Sequence, residues 1–184
     1  MEIEQTVVTK LKLTELDALD PVSVFIEDYE PGRGKITFEC YGKSWSYYWG
    51  GMSGKGVAEF FLSCDVCYLT NCLWDHPLPT TELDYDGIQL SVRKWVIESR
   101  RDYLIDKSTA RFLYDESDWS IHAPQHTYDD WTCPYYLDDD TFEDMCFLHE
   151  QDVPEKSTSD YVYLKRIIKA IQEAFSQLSK KETD

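Results

Sequence analysis

From Phe112 to Glu155 the chain contains no lysine and no arginine, against thirteen aspartates and glutamates. The flanks differ: residues 1–111 hold 12 bases and 18 acids, and residues 156–184 hold six and four, so most of the formal charge of −17 lies in about a quarter of the length. A polyanion of this strength repels nucleic acid and anionic lipid and draws in cationic protein surfaces. Direct binding of nucleic acid or membrane is therefore disfavoured. Also missing are a basic, then apolar leader after Met1-Glu2-Ile3-Glu4-Gln5 and any apolar run near the roughly 18 residues of a membrane span. The expectation is a soluble, cytoplasmic protein.

Catalytic signatures are missing too. There is no G-x-S-x-G, H-E-x-x-H or dinucleotide fingerprint. Gly50 to Gly56 resembles a phosphate loop only in its glycines, because Trp49 stands where the first glycine belongs and Gly56 where a magnesium-binding Ser or Thr is needed. Read as a calcium loop from Asp138, the chain places Phe142 at the fifth position, Glu143 at the turn glycine and His149 at the twelfth. That pattern fails as well. The six cysteines, in a chain of 184 residues with no secretory leader, read as free thiols rather than a disulfide framework.

What is present suffices for one domain: 42% apolar residues and 27 aromatics, six of them Trp and thirteen Tyr. Thr6 to Leu13 alternates with the period of a half-buried strand, and Val22 to Glu27 reads as a second. Pro31-Gly32-Arg33-Gly34 reverses the chain into a third strand, Lys35 to Tyr41. Trp45, Tyr47 and Trp49 share one face of a fourth, which needs a cover. One helix carrying Val57, Phe60, Phe61, Cys64 and Tyr68 is expected to supply it. Asp75 to Thr80 reads as a loop and Thr81 to Gly87 as turn-like.

A second helix is expected from about Ile88 to Tyr103, with Ile88, Val92, Trp95, Val96 and Tyr103 inward and Arg93, Lys94, Arg100 and Arg101 outward. Ala110 to Tyr114 reads as a short helical turn, and Asp115 to Pro154 shows no sustained period. Tyr161, Leu164, Ile168, Ile171, Phe175 and Leu178 define a long final helix, with Ser157 or Ser159 as its N-cap. Its stripe suits docking on the chain's own core, with a homodimer or a partner helix as the other options. The expected fold is α+β: an N-terminal antiparallel sheet of three to four strands covered by helices, an irregular acidic segment, and a long C-terminal helix. In a single domain 1–184, residues 1–50 are mainly β, 51–111 helical, 112–155 acidic and irregular, and 156–180 the final helix.

The candidate site is the acidic stretch with its aromatics. Asp129, Asp130, Trp131, Tyr135, Asp138, Asp139, Asp140, Glu143 and Asp144 form its densest part, with Asp115, Glu116 and Asp118 as further carboxylates and Trp119 as a further anchor. Carboxylates pair with Arg and Lys of a partner while large rings supply contact area. Some of these acids are expected to be neutralised by the basic helices around Arg93 to Arg101 and Lys165 to Lys169. Zinc is the weaker alternative: Cys64-x-x-Cys67 and Cys146-x-x-His149 have ligand-like spacing, but a lone Cys pair on an apolar helix face is more often structural. His122 and His126 flank Pro124 and read as a surface loop. Pairing Glu143 or Asp144 with His149 as acid and base, or Cys146 with His149 as nucleophile and base, has no support in the sequence. The expectation is no enzyme and no cofactor.

Gly34-Lys35-Ile36-Thr37-Phe38-Glu39-Cys40-Tyr41-Gly42-Lys43-Ser44-Trp45, then Tyr48-Trp49-Gly50-Gly51-Met52 and Val57-Ala58-Glu59-Phe60-Phe61, resemble a family of small accessory proteins of enterobacterial temperate phages and prophages, mainly over residues 34–70. Glu150-Gln151-Asp152-Val153-Pro154 and Tyr163-Leu164-Lys165-Arg166-Ile167-Ile168 resemble the family less specifically. The resemblance implies a phage setting and carries over no catalytic residue, and it does not place the long acidic insert. With the acidic surface, it leads to an inhibitor of a host nucleic-acid-handling defence protein, acting by imitating nucleic acid. The alternatives are a phage regulator gripping a host factor through aromatic surface, or a metal-dependent enzyme.

Overall fold

The computed structural model describes residues 2–3, 5–122, 132–133, 138–144 and 154–181, and for Asp139, Glu143 and Asp144 the backbone alone. The chain divides into two compact units: residues 1–80 with 158–184, and residues 81–157. The α+β architecture expected from the sequence is present, with a four-stranded N-terminal sheet and a long final helix.

In the first unit, β1 (Thr9–Leu13), β2 (Val22–Glu30), β3 (Arg33–Cys40) and β4 (Lys43–Trp49) form an antiparallel meander in sequence order. Cross-strand pairs Val24↔Phe38 and Ile26↔Ile36 set the register. Because side chains alternate across a strand, Val22, Val24, Ile26, Ile36, Phe38 and Cys40 all bury on one face. The opposite face stays wet, as in the Thr37 to Ser46 hydroxyl contact at 3.0 Å. Trp45, Tyr47 and Trp49 fall on the covered face as expected, with Trp45 stacked on Phe38 at 5.5 Å.

The cover is two helices, not one. α1 (Val57–Ser63) stops at Cys64, and α2 (Val66–Leu73) starts anew because the Asp65 carboxylate accepts from Tyr68 N at 2.9 Å. An Asp at that position competes for backbone donors and favours a cap over a continued helix. The start of α1 has no side-chain cap of its own; Asp28 on β2 accepts from Val57 N at 2.7 Å instead. Trp49 meets Phe60 and Phe61 edge-on, at 5.5 and 6.3 Å.

α6 (Ser159–Lys181), the sixth helix along the chain, closes the core with Leu164, Ile167, Ile168, Ile171 and Phe175, all buried. Each such side chain contributes about 1.5–3 kcal/mol of transfer free energy. The stripe faces its own unit's core. Its N-cap is Thr158, whose Oγ1 accepts from Tyr161 N at 3.4 Å, rather than Ser157 or Ser159. Thr158 N donates to Thr80 O at 3.0 Å, so the points where the chain leaves and re-enters this unit are hydrogen-bonded to each other. Gln172 on α6 donates to the carbonyls of Phe61 and Cys64 at 3.1 and 2.8 Å, satisfying the end of α1.

The second unit begins and ends in a short ribbon, β5 (Thr81–Leu83) paired antiparallel with β6 (Glu155–Ser157). The ribbon stands where the polar composition of residues 81–87 reads as a turn. α3 (Tyr85–Arg101) buries Ile88, Val92 and Val96, and α4 (Lys107–Asp115), longer than the turn expected there, buries Ala110 and Leu113. A 3-10 turn (Trp119–His122) and α5 (Asp139–Asp144) complete the described elements between Asp115 and Pro154. Tyr103 is 86% exposed rather than inward, because α3 ends at Arg101 and Tyr103 takes φ +63 in the connecting turn.

Gly34 shows how tightly sheet and cover meet: a Cβ there would lie 2.6 Å from Glu27 O and against the Val57 side chain. Gly34→Ala is expected to lower stability by about 1–3 kcal/mol through overpacking. The urea unfolding midpoint at unchanged slope measures it.

Candidate functional site

The described parts of the acidic stretch are tied to the core of the second unit. Its central support is Trp119, which is 0% exposed, with its indole N–H donating to Leu113 O at 3.1 Å. Trp119 therefore holds the interior and does not anchor a partner, contrary to the surface role expected of it. Gln89 on α3 fixes the approach to it, accepting from Trp119 N at 3.0 Å and donating to Glu116 O at 2.9 Å. Phe142 is buried in the same cluster as Ile88, Val92, Val96 and Leu113. Phe112 and Tyr114, by contrast, are 65% and 43% exposed. Among the described residues, the aromatics of the stretch divide between a core pair, Trp119 and Phe142, and a surface pair, Phe112 and Tyr114.

α5 is the part of the predicted site that the structure builds. It runs Asp-Asp-Thr-Phe-Glu-Asp from Asp139 to Asp144, with Phe142 as its buried anchor. Asp138 precedes it and caps it: Oδ1 accepts from Thr141 N at 2.9 Å and Oδ2 from Thr141 Oγ1 at 2.8 Å. Both Asp138 and Asp140 are exposed. Asp129, Asp130, Trp131 and Tyr135 lie outside the described residues, as do the side chains of Asp139, Glu143 and Asp144.

The carboxylates at the start of the stretch are also used locally. Asp118 accepts from the backbone and hydroxyl of Ser120, and Glu116 from the backbone N–H of Ser117 at 2.9 Å. Asp115 pairs with Arg111 one helical turn away, at 3.3 Å. That ion pair arises within α4 itself, not from the basic helices expected to neutralise the stretch. Arg166 of α6 instead donates to the carbonyls of Asp17 and Ala18, and Lys165 lies over the Tyr161 ring. Arg93 of α3 reaches Tyr114, at 3.4 Å to its carbonyl and 5.4 Å to its ring centroid.

Hydrogen bonds to the charged form lower a carboxyl pKa. The backbone and side-chain donors of Thr141 lower Asp138, and those of Ser120 lower Asp118, both from an ordinary value of 3.8. These groups remain anionic throughout the physiological range. That suits an electrostatic surface and is unsuited to proton transfer near neutrality.

The zinc alternative is not assembled by its first pair. Cys64 closes α1 and is partly buried, whereas Cys67 is exposed on α2. Cys146 and His149 lie outside the described residues. No group of three or more metal-ligating residues occurs among the described residues. His122 is not a surface-loop residue: its ring lies 5.3 Å from that of Trp119, and its Nε2 is buried without a hydrogen-bond partner among the described residues. His126 is outside the described set. In the first unit, a groove of about 470 Å³ lies beside Trp45, Cys72, Trp74 and Tyr163, rimmed by the Lys43 to Asp160 pair at 3.1 Å. Its Tyr163 hydroxyl is engaged with the Cys40 thiol at 3.2 Å, and that hydrogen bond, with burial, pushes the phenol up to about 12. Trp74 donates to Leu78 O. The groove's rings are thereby fixed as structure.

No helix among the described residues is long and apolar enough to cross a membrane. In comparisons with known proteins, the model of a phage family matches residues 1–177, running through the acidic stretch that the resemblance over residues 34–70 leaves out. No curated protein and no solved structure matches the chain.

Because the folded-state pKa of Asp138 is depressed, its contribution to stability is fully present above the unfolded value and is lost as pH falls through the folded one. In a carboxyl-carbon NMR titration its midpoint is expected below 3.8. Thr141→Val, which removes one donor and keeps the shape, is expected to move that midpoint back toward 3.8.

Proposed function

The chain belongs to this phage family, and we propose that it is a phage-encoded binding protein, not an enzyme, that engages a basic surface of a host nucleic-acid-handling protein through its acidic stretch. The observation that carries the reading is the buried Phe142 of α5, which fixes a carboxylate-rich helix to a packed core while Asp138 and Asp140 face solvent. Carboxylates held in place can oppose a basic groove without first being ordered, which removes part of the entropic cost of binding. Duplex DNA presents roughly one charge per 1.7 Å of axis. A fixed acidic surface competes for the same Arg and Lys side chains, and occupying them would inhibit the host protein. On this reading the partner is a defence protein in the cytoplasm of the bacterial host, an enterobacterium by the sequence resemblance. Exposed Phe112 favours a second reading, a regulator that grips its partner chiefly through apolar contact.

Affinity capture from infected host cells separates the two. Binding through charge is expected to release its partner between about 50 and about 200 mM salt and on addition of duplex DNA. It is also expected to fail for a protein carrying Asp129→Lys, Asp130→Lys and Asp140→Lys. Capture of the same partner by that variant, or retention unaffected by salt and DNA, would rule out the electrostatic reading and leave the apolar one.

A further inference from the structure

A second surface in the same unit has the opposite character. α3 and α4 run antiparallel, Arg93 meeting Tyr114, and between them lies a groove of about 390 Å³. Val96 and Ala110 form its floor, and Ile97, 57% exposed, and Tyr114 leave apolar atoms uncovered along it. Its rim is cationic: Arg100 on one side, Lys107 and Arg111 on the other, with Asp115 already paired to Arg111. With Asp115 offsetting Arg111, Arg100 and Lys107 still leave the rim net positive, a local reversal of sign in a chain of net charge −17.

From this complementarity we infer that the groove docks an acidic amphipathic helix of a partner protein. A groove between two helices takes a third helix through apolar side chains at i, i+3, i+4 and i+7, and cations flanking the slot pair with carboxylates flanking that stripe. The nine residues of α4 give a groove about 13 Å long, roughly two and a half helical turns. A nucleic acid fits less well, because the apolar floor offers phosphates no donor and the chain's charge repels a long polyanion. A short helix with a few carboxylates is screened from the rest of the molecule beyond about 8 Å at physiological salt. Symmetric pairing with a second copy would set Arg100, Lys107 and Arg111 against themselves. The inference does not depend on the proposed role of Asp138 to Asp144, none of which lines this groove, although Tyr114 and Asp115 at its edge belong to the start of the acidic stretch.

The test uses the full chain and a fluorescent synthetic helix of about sixteen residues, with Leu at i, i+3, i+4 and i+7, a few Glu flanking that stripe and Ala elsewhere. Controls are the same helix with Lys for Glu and a scrambled Glu helix. The Glu helix is expected to bind saturably by anisotropy and to shift the amide resonances of Ile97, Arg100 and Ala110. Ile97→Glu is expected to weaken it by about tenfold or more, the worth of one exposed anchor. Arg100→Glu with Lys107→Glu, both exposed and checked for fold by circular dichroism, is expected to reverse the preference toward the Lys helix. Equal binding of the Lys or scrambled helix, shifts confined to other residues, or no binding would overturn the inference. So would displacement of the helix by a single-stranded oligonucleotide of equal charge, which would assign the groove to nucleic acid. Self-association of the protein abolished by Ile97→Glu would assign it to a second copy and overturn it equally.

Discussion

The contact on which the first unit depends is the burial of α6 against the sheet and its two covering helices. Leu164, Ile167, Ile168 and Ile171 share one core with Val22, Val24, Ile36 and Phe38, and without them the part of that core left by α1 and α2 would lie open. The chain meets this need by leaving the unit at Thr80 and returning at Thr158, with the backbone hydrogen bond between those residues joining exit to entry. Everything from Thr81 to Ser157 is thus inserted between two parts that need each other. An insertion tied at its base can carry extreme composition without loading the core of its host unit, and here it carries the acidic stretch.

Within the insertion, charge is used twice. Asp118 and Asp138 organise turns and a helix start, and those same hydrogen bonds keep them ionised. A carboxylate that caps a helix is still a negative charge at the surface, so local structure and long-range field do not compete. Phe142 and Trp119 supply the apolar counterpart, fixing the acidic elements to Ile88, Val92 and Leu113. The phage family that the chain belongs to matches across host unit and insertion alike.

The sheet and the final helix were legible in the sequence because their periodicity is enforced by one buried face: a one-residue slip in β2 would expose Val22, Val24 and Ile26 together. The break between α1 and α2 was not, because Asp65 reads as a polar residue on a helix until its carboxylate is seen to meet Tyr68 N. β5 and β6 were hidden for another reason: each is three residues long and pairs with a segment more than seventy residues away. Trp119 was misread because an aromatic among acids looks like an exposed anchor, whereas its indole N–H has a partner in the Leu113 carbonyl that no spacing rule reveals. At the candidate site, composition identified the stretch and its anionic character. What it could not resolve was which rings turn inward, since that depends on Gln89 and α3, thirty residues upstream.

The most direct measurement of whether the insertion carries the function is its excision. Residues 81–157 are replaced by a short Gly-Ser linker, a replacement that the 3.0 Å bond from Thr158 N to Thr80 O makes geometrically simple. The shortened protein is expected to unfold cooperatively by circular dichroism and to retain none of the host partner captured by the full chain. Capture of the same partner at the same salt by the folded, shortened protein would contradict the assignment of binding to the acidic insertion.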